Sequence, residues 1–254
     1  MNTLAQLNHL SQITPRFTSG DFLLPFGPIS YVDACTLEIQ YREIFEQRIY
    51  DCEDIAPQGT ILDCGANIGL SLIRYAKCHP DCDIYGYEAD PSIAAVCVAN
   101  IARLGLKRVN VIPLAVTDRN GTSSFQAEGG EGGRLSCDGN IEVTTVRLLD
   151  LLKNRDVELL KLDIEGAEWA CLVDVCRNNG LSRTRRLIVE FHGTHENTST
   201  FGYILSELSR AGFQFTFPWS FCEPGLSGPR ETTPFPFAVD GKFILFLHAW
   251  RCSK

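Results

Sequence analysis

The sequence has no excess of positive charge: 23 Lys and Arg stand against 31 Asp and Glu, a formal net charge of -8. Chains that grip a phosphate backbone concentrate basic residues, so no nucleic-acid partner is expected. No apolar run approaches the roughly 18 residues of a membrane-crossing helix, and residues 1–10 lack the basic flank and apolar core of an export signal. The expectation is a cytoplasmic chain with no membrane insertion. CxxC spacing is missing as well. The eleven cysteines, scattered from Cys35 to Cys252, therefore read as reduced thiols rather than a zinc site or a disulfide framework. No internal repeat is visible, and the one low-complexity tract is Gly129-Gly130-Glu131-Gly132-Gly133.

What is present is enough apolar sequence, 44% of 254 residues, for one large α/β domain. From Thr60 onward short apolar runs alternate with helical periodicity, the pattern of a mostly parallel sheet covered on both faces. Strands are predicted at Ile61–Leu62, Asp83–Glu88, Val109–Leu114, Leu159–Ile164 and Leu187–Phe191. A late pair follows, in which Phe213, Phe215 and Phe217 alternate and Phe243–Leu247 pairs with them. Asp90-Pro91 opens the clearest helix and Gly105 closes it. Residues 1–58 are assigned to an N-terminal substrate or cap segment and 59–254 to the main domain, the two expected to form one compact unit. The stretches 122–142 and 218–241 are read as irregular, and the second of these holds Trp219 and Phe221, which can stack on a ring or belong to the core.

A glycine turn between the first strand and its helix brings backbone close to a ligand at a helix N-terminus. Gly65 and Gly69 supply it here, with Asn67 where the second glycine of a dinucleotide fingerprint would stand. Glu88 lies 19 residues after Gly69, at the end of the second strand, where a carboxylate can accept both hydroxyl hydrogens of an adenosine ribose. Asp63, at the first strand's tip, can orient an ammonium group directly or through water.

The strings ILDCGANIGLS, YGYEADP, VNVIPLAV and LLKLDIEGAEW occur in this order. Together they resemble the FkbM-type methyltransferases that use S-adenosylmethionine (SAM), over roughly Leu37 to Phe217. The resemblance implies a Rossmann-like class I methyltransferase fold: a seven-stranded, mostly parallel sheet with the last strand antiparallel. It also implies methylation of an oxygen on a sugar, polyketide or related small molecule. Carried onto this chain, it assigns SAM contacts to Asp63, Gly65, Ala66, Asn67, Gly69, Glu88 and Ala115, the last near adenine. S-adenosylhomocysteine (SAH) would be the product. No Asn/Asp-Pro-Pro-Tyr/Phe motif accompanies these strings, so methylation of DNA bases lacks its usual mark.

Methyl transfer to an alcohol needs alignment of the acceptor oxygen with the S–C bond and a place for one proton. Candidates lie at the ends of strands four and five. Asp163 can face the sulfonium and acceptor, or merely fix the turn before Gly166. Glu190 and His192 share a strand face and can act as a dyad with His192 as base, or can be a paired Glu and a loop-bonded His. His195 reads as a loop residue. No metal ligand is assigned, and a divalent ion on Asp163, Glu190 and His192 is left open. Two other readings share these features: an NAD-dependent oxidoreductase and a non-catalytic SAM- or nucleoside-binding module.

Overall fold

The computed structural model describes residues 2–130, 132–218, 220–222 and 242–251, the segment 220–222 by its backbone. Among the described residues, seven strands form the main path of the large sheet: β1 (Thr60–Cys64), β2 (Asp83–Tyr87), β3 (Val109–Ile112), β4 (Leu159–Leu162), β5 (Arg186–Gly193), β6 (Gln214–Thr216) and β7 (Phe243–Trp250). Their order is β3-β2-β1-β4-β5-β7-β6. Strands β1 to β5 run parallel, and β7 is antiparallel to both β5 and β6. A short strand at Ser220–Cys222 also pairs with β7. The order and directions are those of the class I methyltransferase sheet.

Successive residues of a strand face opposite sides, and β1 shows what each side packs against. Ile61 belongs to a core with Leu37, Leu72 and Ile101; Leu62 belongs to another with Leu160, Leu172 and Leu208. Each such fully buried aliphatic side chain contributes roughly 1.5–3 kcal/mol relative to exposure. Among the described residues, seven α-helices surround the sheet and its N-terminal extension: α1 (Thr3–Ile13), α2 (Ala34–Tyr41), α3 (Leu70–Cys78), α4 (Pro91–Arg103), α5 (Leu148–Leu152), α6 (Glu168–Arg177) and α7 (Thr198–Arg210). Helix α4 begins as its sequence predicts, with Asp90 accepting from the N–H groups of Ser92 and Ile93 and Pro91 in the first turn. It ends at Gly105, φ +66, where the Leu106 N–H donates to the Ile101 carbonyl.

The N-terminal segment packs against the main sheet. Leu7 of α1, Leu24 and Ile29 of a hairpin (Gly20–Leu24 with Gly27–Tyr31), and Leu37 of α2 share one core with Ile61. Fully buried Asn100 fastens the hairpin to the first glycine turn: its amide donates to the carbonyls of Ser30 and Ile68 and accepts from the Ser30 N–H.

Two predicted segments differ. The third strand stops at Ile112 because Pro113 has no N–H to continue the ladder, and the chain re-enters a second sheet at Ala115–Thr117. The stretch 122–142, expected to be irregular, instead takes part in that second sheet, through most of Gly121–Gln126, Arg134–Leu135 and the start of Ile141–Arg147. Buried Phe125 and Val143 hold it with Ala115. The glycine cluster is the connection between two of its strands. Of the proline-rich stretch 218–241, residues 223–241 lie outside the described residues, as do Trp219 and the side chain of Phe221.

Candidate active site

A cavity of about 440 Å³ opens at the carboxyl ends of β1, β2, β4 and β5, where ligands of open α/β sheets bind. The N-terminal segment (Arg16, Gln40, Tyr50) and the glycine cluster complete its walls.

The floor is the turn after β1. Gly65 (φ +89) and Gly69 (φ +95) have the left-handed backbone that favours glycine, and Asn67 (φ +46) occupies the position between them that Asn tolerates. Asn67 also clasps the far wall, donating from its side chain to the Gly130 carbonyl at 3.2 Å. Glu88 lies beside the turn, accepting from the backbone N–H groups of Asn67 (2.7 Å) and Asp90 (2.9 Å), one on each oxygen. Burial pushes its carboxyl up to about 7, against the pull of those two N–H donors. A carboxylate fixed in this way keeps lone pairs for two vicinal hydroxyls. Ala66 and Ala115, both buried, line the same cavity. A narrow glycine turn, an oriented carboxylate and small flanking residues are what an adenosyl amino acid requires, so the residues present fit SAM.

Asp63 is placed differently from its sequence-based role. It is fully buried and does not line the cavity; Lys161 of β4 stands between, its Nζ 3.1 Å from Asp63 Oδ1, 3.2 Å from Asp163 Oδ2 and donating to the Gly65 carbonyl at 2.8 Å. Burial raises the Asp63 pKa, with Lys161 and Ser71 opposing the shift, and the pair of carboxylates holds the Lys161 ammonium charged despite its burial. Asp63 thus acts on the turn through Lys161.

The LDIEGAEW string owes its residue types to the loop after β4. Glu165 (φ +54) and Gly166 (φ +103) turn the chain, and fully buried Glu168 closes the turn by accepting from the N–H groups of Ile164 (2.8 Å) and Gly166 (2.9 Å). The same carboxylate contacts His192 Nδ1 at 3.2 Å, while the Trp169 indole N–H donates to the His192 carbonyl at 2.7 Å. One helical turn therefore fixes both ends of the fourth loop and the tip of β5.

Asp163, Glu190 and His192 are brought together. Tyr50 Oη lies 3.0 Å from Asp163 Oδ2 and 2.6 Å from Glu190 Oε2; His192 Nε2 is 3.7 Å from Glu190 Oε1 and from Glu165 Oε2. Burial opposes charge on His192, but the Glu168 hydrogen bond and the charges of Glu168, Glu165 and Asp163 outweigh it and raise the imidazole to about 10. This shift favours the protonated, donating ring over the proton-accepting one that the residue type alone suggests. His195 sits exposed in a 3-10 turn away from the cavity.

Among the described residues, Asp163, Glu165 and His192 are the one group whose ligand atoms, within 4.8 Å of one another, match a metal site.

Sequence reasoning missed Tyr50, Lys161 and Glu168. Lys161 was visible as a lone cation in an apolar strand, and Glu168 lies within the string already quoted. Tyr50 follows the π-helix Arg42–Gln47, where no regular period marks it.

Residues 63–215 match the family model described as the methyltransferase FkbM domain, which is more than half of the chain. The 2-O-methyltransferase NoeI of Sinorhizobium fredii is 27% identical over 159 residues, covering 53% of this chain and 64% of that protein. The 31-O-demethyl-FK506 methyltransferase FkbM of Streptomyces tacrolimicus is 26% identical over 234 residues, covering 75% of this chain and 87% of that one. A crystal structure of a methyltransferase FkbM from Methylobacillus flagellatus KT superposes with a TM-score of 0.49 at 16% identity, covering 98% of this chain and 59% of that chain. With a matching domain across more than half its length, this chain belongs to the FkbM family of SAM-dependent methyltransferases.

Proposed function

We propose that this protein transfers the methyl group of SAM to a hydroxyl oxygen of a neutral small molecule, such as a sugar precursor or a hydroxylated natural product. The observation that carries the reading is the placement of Asp163, a cavity-lining carboxylate, against the Gly65 turn, since oxygen methylation of an alcohol requires a proton acceptor next to the methyl donor. The names of NoeI and of the Streptomyces protein, both O-methyl-transferring relatives, support the same atom type.

SAM supplies an electrophilic methyl on a sulfonium. Gly65, Ala66 and Asn67 form its bed, Glu88 binds the ribose hydroxyls, and Ala115 leaves room for adenine. Carboxylates around the cavity favour a cationic sulfonium and disfavour anionic acceptors such as sugar phosphates. Residues 1–58, which supply Tyr50 and the outer wall, bound the acceptor side. Among the described residues no helix is long and apolar enough to cross a membrane.

The test is a mass-spectrometric screen in which protein and SAM labelled with deuterium on the methyl are incubated with neutral polyols, glycosides and macrolide alcohols, and with phosphorylated and carboxylated counterparts. Labelled ether products from the neutral set support the reading. Methyl esters or N-methyl products alone would refute it.

A further inference from the structure

Tyr50 has one hydroxyl hydrogen and two carboxyl neighbours at hydrogen-bonding distance, Glu190 Oε2 at 2.6 Å and Asp163 Oδ2 at 3.0 Å. One hydrogen satisfies one acceptor. A second oxygen pair at such a distance without a hydrogen between would be repulsive, so the three groups hold one more proton than two free carboxylates would. We propose that this proton resides on Glu190, and that the chain Glu190–Tyr50–Asp163 is directional: Glu190 donates to the Tyr50 oxygen and Tyr50 donates to Asp163, positioning Asp163 as the base for the acceptor hydroxyl.

The surrounding charges set the direction. On the Asp163 side stands Lys161, 3.2 Å from the same Oδ2 and 4.8 Å above the Tyr50 ring, which favours the ionised carboxylate there. Among the described residues Glu190 has no ammonium in contact, and it feels Lys161 only at longer range. It faces Asp163 across Tyr50, Glu43 from the π-helix, and His192 at 3.7 Å. Burial pushes the Glu190 carboxyl well above the ordinary range, Asp163 and Glu43 push it further, and His192 and the Tyr50 hydrogen bond oppose them. Burial and the two carboxylates likewise keep the Tyr50 phenol neutral. Tyr50 is thus a positioning residue, and Glu190 is an acid rather than a second base.

Lys161 and Tyr50 both use Asp163 Oδ2, leaving Oδ1 for the acceptor. In the reaction proposed above, on which this role rests, the acceptor oxygen forms the C–O bond as the S–C bond breaks. The sulfur keeps that electron pair, and the hydroxyl proton passes to Asp163 Oδ1. The proton on Glu190 stays in place, so the charge on Asp163 changes once per turnover.

Infrared spectra of the full chain at pH 8 with bound SAH read the proton directly. The expected result is a protonated-carboxyl C=O band that moves down in deuterium oxide and on labelling with 13C-glutamate, vanishes in Glu190→Gln, and moves up in Tyr50→Phe as its hydrogen bond is lost. A wild-type spectrum without such a band would overturn the proposal. So would a band that fails to shift with 13C-glutamate, which needs no substitution and places the proton on an aspartate. SAH titration of the same samples separates the two readings: absence of SAH binding strikes at the cofactor site, whereas a missing band with normal SAH binding strikes only at the proton chain.

Discussion

A methyl group added to Gly65 would sit 1.7 Å from the main-chain oxygen of Asp163. The cofactor turn and the loop bearing the acceptor-side carboxylate are therefore packed backbone to backbone, and neither can shift alone. Gly65→Ala forces them apart and demands an unfavourable φ of +89. The expected outcome is loss of SAH binding by at least about tenfold, the equivalent of about 1.4 kcal/mol, measured by calorimetry on protein that retains its far-ultraviolet circular dichroism.

Glu88 predicts a pH dependence of cofactor affinity. Its carboxyl is raised to about 7 by burial, and only the ionised form accepts both ribose hydroxyls. SAM affinity should rise as pH goes from 6 to 8 and then level. Glu88→Gln should flatten this rise; an unchanged profile in the variant would remove Glu88 from the ribose site.

Lys161→Met leaves Asp63 buried without its ion-pair partner. Breaking a buried pair from one side costs about 3–5 kcal/mol, because the remaining charge is uncompensated. Denaturant unfolding should show a loss of that order, and Asp63→Asn combined with Lys161→Met should lose less than Lys161→Met alone. Strict additivity would contradict the pairing.

His192 is raised from 6.5 to about 10 by its carboxylate neighbours. A raised folded-state pKa means the folded protein binds the proton more tightly. The stabilisation is full below about 6.5 and is lost as pH rises through 10. Melting temperature should fall between pH 7 and pH 10 more steeply in the wild type than in His192→Gln. Equal slopes would show that His192 is neutral in the fold.

The fold was legible because its strands and clearest helix carried local signals: apolar runs of strand length, Asp90-Pro91 at the helix start and Gly105 at its end. Gly105 adopts the left-handed backbone that such an end requires. The second sheet was hidden because the glycine cluster dominated the look of residues 122–142, while the alternation of Ile141, Val143 and Thr145 was short. Glu88 and the Gly65 turn were legible because strand-end chemistry has a fixed spacing. Asp63 was misplaced for a physical reason: sequence shows that a carboxylate ends a strand, not that a lysine from the neighbouring strand stands in front of it. Tyr50 was out of reach because its role arises from 113 and 140 residues of separation to its partners.

The central claim is that the Gly65 turn and Glu88 bind an adenosyl amino acid. Calorimetric titration of the purified chain with SAM, SAH and NAD, repeated with Glu88→Ala, tests it most directly. The account predicts saturable binding of SAM and SAH, none of NAD, and a roughly tenfold to hundredfold weakening in the variant, the range for losing hydrogen bonds to a charged group. Binding of NAD in place of the adenosyl compounds, or SAM affinity indifferent to Glu88, would contradict it.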